Sequence, residues 1–111
     1  MFRNDFLGEF EHIVLLAVAR LGRGAYGMAI RQEIEDRAGR PVAIGSVYAA
    51  LDRMERKGYL GSEVGDPTPV RGGRAKRFYT LEPPGGEALN RSRNVLDGLW
   101  DGLEIDLERP A

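Results

Sequence analysis

The chain has 111 residues, one domain's worth of polypeptide or one compact domain with an arm, and that length can bury a real core. Its composition is that of an ordinary globular protein, 42% hydrophobic and 30% charged with a net charge of −1, and it contains no cysteine, which excludes disulfide frameworks, thiolate metal sites and cysteine nucleophiles. A single histidine, His12, excludes chemistry that needs two imidazoles, and no run reaches the roughly 18 apolar residues of a membrane span or has the form of a secretory leader. The expectation is a cytoplasmic protein with no membrane association, no metal, no cofactor and no enzymatic activity.

The first predicted element is a helix. Phe10, Ile13, Val14, Ala17, Val18 and Leu21 recur at helical spacing, and Leu15 and Leu16 widen the apolar stripe. His12 lies beside that stripe and reads as a surface or interface side chain. Gly22, Gly24 and Gly27 then spell the letters of a dinucleotide-binding fingerprint. The run before them has helical rather than strand period, and the position about twenty residues on, where a ribose-binding acid belongs, falls near Ile44. These glycines read as a turn between helices. Tyr26, Ile30 and Ile34, four apart, give a second helix, stopped by Gly39 and Pro41.

Residues 42–45 are predicted to be an extended connection, with Ser46 capping a third helix. Val47, Ala50, Leu51 and Met54 form its buried face. Gly45, Ala49, Asp52 and Arg56 fall opposite, with Ser46 and Arg53 on one flank and Tyr48 on the other. Asp52 can pair with Arg56, whereas Arg53 and Lys57 sit side by side as like charges and call for an anion.

Two β-rich runs follow, 59–64 and 76–81, joined by a loop containing Pro67, Pro69, Gly72 and Gly73. Arg71, Arg74, Lys76 and Arg77 lie in this hairpin with no acid between Val70 and Thr80. Residues 42–81 hold seven bases against four acids, and residues 82–111 hold three against seven, so the nearly neutral chain has a basic middle and an acidic end. Residues 83–86, Pro-Pro-Gly-Gly, are predicted to break the chain. From Glu87 a last amphipathic helix of about five to six turns carries Leu89, Leu96, Leu99, Trp100, Leu103 and Leu107.

Three helices and a hairpin are the order of a winged helix–turn–helix, in which the third helix enters a DNA major groove. The expected fold class is mainly α (α+β), with a winged domain and its two-stranded wing over residues 1–82 and a C-terminal dimerisation helix over 83–111. The small residues Gly45, Ser46 and Ala49 let the third helix approach base edges, and Arg53 and Arg56 lie where phosphates run. Arg71, Arg74 and Lys76 carry charge on the wing, and Gly72 lets its backbone come close to phosphate. A lone amphipathic helix at the end calls for a second chain, so Leu96, Leu99, Trp100 and Leu103 are expected to meet partner residues, helped by Phe6, Phe10 or Val14, in a homodimer. Trp100 reads either as a packed anchor of that interface or, with Leu96, as the seat of a flat apolar effector that alters the spacing of the two recognition helices. The alternative is a winged-helix adaptor that meets an acidic protein partner and binds no DNA.

Three segments carry a resemblance. Residues 26–30, Tyr-Gly-Met-Ala-Ile, residues 46–60 from Ser46 through Tyr48 and Arg53 to Leu60, and residues 72–81, with Gly72, Arg74 and Lys76, together resemble the PadR-like transcriptional regulators. The resemblance implies a homodimeric repressor of double-stranded DNA at a palindromic operator, with Ser46, Tyr48 and Arg53 near the DNA and Arg74 and Lys76 in the wing. It also implies that the last helix is a dimerisation arm crossing the first helix of the other subunit, and that a small aromatic or cationic effector is sensed there. The chain departs from the family pattern at Pro83-Pro84, where threonine–glutamate is usual, and at the wing prolines Pro67 and Pro69, which stiffen the tip.

Overall fold

The computed structural model describes residues 6–65 and 75–108. It is built from α1 (Glu9–Leu21), a 3-10 turn (Gly22–Gly24), α2 (Gly27–Ala38), α3 (Ile44–Arg56), β1 (Leu60–Val64), β2 (Arg77–Leu81) and α4 (Pro83–Trp100). This mainly helical arrangement with one two-stranded sheet is the fold class the sequence predicts.

The core sits between the three helices and one face of the hairpin. Val14, Leu15, Ala17 and Val18 of α1 meet Ile30 and Ile34 of α2 and Val47, Ala50, Leu51 and Met54 of α3, with Leu60 and Tyr79 closing the sheet side. The glycine run is a turn, as expected: the 3-10 turn ends at Ala25, whose carbonyl accepts a hydrogen bond from the Tyr79 amide at 2.8 Å. That bond, with the isolated bridge between Tyr26 and Phe78, makes the segment before α2 a short third edge to the wing. Gly39 closes α2 in the left-handed conformation (φ 62°, ψ 31°), which glycine adopts without a Cβ penalty.

Three helix boundaries differ from the sequence reading. The third helix begins at Ile44 with Ala43 as its cap, so Ser46 lies in the first turn, its amide bonded to the Ala43 carbonyl at 3.0 Å. Ile44 packs against the core, and that burial draws the residues before Ser46 into the helix. The last helix starts at Pro83 rather than Glu87, and its two prolines stand at the first positions, where their missing N–H groups cost nothing. It ends at Trp100, so Leu103 and Leu107 follow it in non-helical chain. Its first half has a core of its own to cover: Gly85, Ala88, Leu89 and Ser92 are buried.

The start of α4 is held against the connection between α3 and β1. The Glu82 amide donates to the Tyr59 carbonyl at 3.0 Å, and a Cβ on Gly85 would collide with that same carbonyl and with Leu81. Alanine ordinarily favours a helix over glycine by about 1 kcal/mol. Here the backbone carbonyl cannot swing aside, so Gly85→Ala is expected to destabilise the chain by about 1–3 kcal/mol, read as a lower denaturant midpoint.

Candidate nucleic-acid interface

The buried stripe of α3 fixes what its other side presents. With Val47, Ala50, Leu51 and Met54 inside, Gly45, Ser46, Tyr48, Ala49, Asp52, Arg53 and Arg56 are all exposed. The small residues cluster at the start of the helix and the arginines at its end.

Those arginines are not free. Arg56 pairs with Asp52 at 2.6 Å. Arg53 donates through Nε to Glu11 Oε2 at 3.2 Å, and Lys57 Nζ lies 3.7 Å from the same oxygen. Glu11 is therefore the anion that the like-charged pair demands. It also accepts the Gly8 amide at 3.4 Å through Oε1 and so ties the start of α1 to the end of α3. Sequence reasoning required an anion here but could not name it, because Glu11 is 42 residues away from Arg53.

The wing is anchored on Tyr26, which the sequence offers only as an apolar position of the second helix and as part of a resembling segment, and which stands just before α2. Tyr26 lies edge-on to Phe78, ring centroids 5.7 Å apart. Lys76 Nζ stands 4.2 Å above the Tyr26 ring, a cation–π contact, and Lys76 has no carboxylate partner among the described residues. Arg77 donates to Ser62 Oγ at 2.9 Å, and that hydroxyl donates to Glu55 at 2.6 Å. The hairpin is thereby pinned to α3. Tyr79 is buried in this junction. Desolvation by burial, then the charge of Glu55, raises its phenol above the usual tyrosine pKa of 10.0, so it is neutral at physiological pH. Between Tyr48, the start of α2 and the foot of β2 lies an open cleft of about 460 Å³. The structure thus brings Tyr48 and Lys76 to one cleft. Arg71, Gly72 and Arg74, predicted at the wing tip, lie outside the described residues. Among the described residues no cluster of acidic, histidine or cysteine side chains could hold a metal.

Residues 15–91 match the Transcriptional regulator PadR-like family. This chain belongs to it. The matched span runs from α1 to the first half of α4. The chain is 38% identical over 74 residues to Transcriptional regulator Rv3488 of Mycobacterium tuberculosis, covering 67% of this chain and 64% of that relative's length. A PadR family transcriptional regulator from Eggerthella lenta superposes with a TM-score of 0.66 at 26% identity, over 85% of this chain and 81% of the other. A PadR family regulator from Clostridium difficile gives the same TM-score at 23% identity, over 85% and 96% of the two chains, a likeness of fold.

In this PadR-family chain the residues expected at a dimer seam separate into three groups. Leu96, Leu99, Trp100 and Leu103 are all more than half exposed, Leu99 reaching 71%. Phe10 is half-buried, with Arg40 5.9 Å from its ring. Val14 is fully buried among the side chains of its own core and has no surface to offer a partner. The stripe on α1 is wider than one face, so the sequence could not say which of its members faces inward. A cavity of about 410 Å³ opens between α1 and α4, lined by Phe6, Leu7, His12, Ser92 and Leu96 among others. The Leu7 amide bonds Ser92 Oγ across it at 3.3 Å. Leu96 reaches this cavity; Trp100 does not line it.

Proposed function

We propose that this chain is a sequence-specific DNA-binding transcriptional regulator, acting as a homodimeric repressor that a small aromatic or cationic effector releases. The observation that carries the reading is the cleft at which the exposed side of α3 meets the foot of the wing, with Tyr48 on one side and Lys76 on the other. Ser46, Tyr48 and Ala49 face base edges. Arg53, Arg56 and Lys76 meet phosphates, with Arg71, Gly72 and Arg74 extending that contact along the wing. Residues 1–82 form the reading domain. Residues 83–111 form the arm through which Leu96, Leu99, Trp100 and Leu103 meet a second copy, and the cavity bordered by Leu96 supports an effector site at that seam.

The carboxylates on α3 shape the expected binding. Arg53 and Arg56 must exchange Glu11 and Asp52 for phosphate, so their net gain is small, whereas Lys76 gives up only an aromatic face. Counting only the three wing bases of each subunit, Arg71, Arg74 and Lys76, a dimer neutralises about six phosphates, so in fluorescence anisotropy with the duplex upstream of its own gene log K should fall with log salt at a slope of roughly −5. Lys76→Ala should weaken binding to every sequence and flatten that slope by about two units per dimer, one for each subunit. The pairing of every cation on α3 also favours a second reading, an adaptor whose wing meets an acidic protein. Negligible binding to both native and scrambled duplexes at low salt would decide for it.

A further inference from the structure

Gly27 stands at the first position of α2, buried, and its φ is not positive. Its backbone therefore does not require glycine, and glycine in a helix costs about 1 kcal/mol relative to alanine. Space does require it. A Cβ there would lie 2.5 Å from Cε1, Cζ and the hydroxyl oxygen of Tyr48. Tyr48 is not in that seat to fill the core: it is 48% exposed, and its hydroxyl makes no hydrogen bond to another described residue. The preceding residue, Tyr26, holds Lys76 against its ring face and is bridged to Phe78 of β2.

We propose that the Tyr26-Gly27 step positions the DNA-reading surface: Gly27 seats Tyr48 of the recognition helix, Tyr26 seats Lys76 of the wing, and the two groups are thereby held on opposite sides of one cleft. This rests on the DNA-binding reading above and adds the residues that set its geometry. The atoms a new Cβ would strike are the far end of a flexible side chain rather than backbone. A small side chain at position 27 therefore displaces the Tyr48 ring and leaves the fold standing. Both residues act through another group, so the signature of the device is coupling and not mere loss.

The experiment is a pair of double-mutant cycles read by anisotropy, with the native upstream duplex and a scrambled one at fixed salt. Gly27→Ala and Tyr48→Ala are each expected to lower affinity for the native duplex by about ten-fold, and the double variant to bind no more weakly than Tyr48→Ala alone. Tyr26→Leu keeps an apolar contact to Phe78 but loses the cation–π face. It should weaken binding in the wild-type background and have no effect once Lys76→Ala is present. This second cycle does not depend on Gly27→Ala folding. Wild-type affinity in Gly27→Ala and Tyr26→Leu, or losses that simply add to those of Tyr48→Ala and Lys76→Ala, overturns the positioning role while leaving DNA binding intact. A wild-type chain that binds neither duplex overturns the DNA reading, and this proposal with it.

Discussion

Leu51→Ala is expected to remove about 2–5 kcal/mol of stability. Leu51 is fully buried on α3 and is among the largest side chains wholly withdrawn from solvent. Its neighbours come from the same close-packed cluster of helices and sheet, so they can relax only partly into the space left. A small domain has about 5–15 kcal/mol in all, and at this size the loss corresponds to a fall in Tm of roughly 8–20 °C. Circular dichroism melting checks it. Well below the lowered transition the variant should bind DNA as the wild type does, because Leu51 faces away from the exposed side of α3. Tyr48→Ala should do the reverse, with stability changed by no more than about 0.5 kcal/mol and affinity for the native duplex lowered about ten-fold. An unchanged Tm for Leu51→Ala would mean that α3 is not anchored by its apolar stripe.

Leu99→Asp is expected to separate the proposed dimer. Leu99 is 71% exposed in the single chain, with Leu96 and Trp100 exposed near it, an apolar surface that needs a cover. Putting a carboxylate into that seam costs at least about 2 kcal/mol, and two-fold symmetry counts it twice, so Kd for dimerisation should rise roughly a thousand-fold. Sedimentation across a concentration series measures this. The Leu99→Asp chain should run as a monomer where the wild type is a dimer, and should keep its fold, because Leu99 does not belong to the buried cluster. A variant that stays dimeric places the seam elsewhere, and the apolar groove between α1 and α2 around Ile13, Leu16 and Ile34 is then the next candidate. A wild-type chain that is monomeric at every concentration removes the dimer from the proposal.

Local rules reached far into this protein. Helical period placed the buried face of α3 correctly, and with it the exposed positions of Ser46, Tyr48, Ala49, Arg53 and Arg56. The Asp52–Arg56 pair follows from spacing alone and is present. The errors came where a local signal met a tertiary one. Pro83 and Pro84 read as a break because proline cannot continue a helix, yet it opens one readily. The bonds from Glu82 to Tyr59 and from Gly85 and Gly86 back to Glu82 start the helix there. Val14 read as an interface residue because a wide apolar stripe does not declare which side meets its own core.

The sequence by itself determined the order of elements, the inner face of α3 and the family to which the chain belongs, since all three rest on residue types at fixed short separations. Only the tertiary structure decided that Glu11 restrains Arg53 and Lys57, that Tyr26 carries Lys76 and that Gly27 makes room for Tyr48. Each of these joins residues at least 21 positions apart, from Gly27 to Tyr48, to 50, from Tyr26 to Lys76. At such separations no periodicity links two residues, and the packing of helices and hairpin alone brings them into contact.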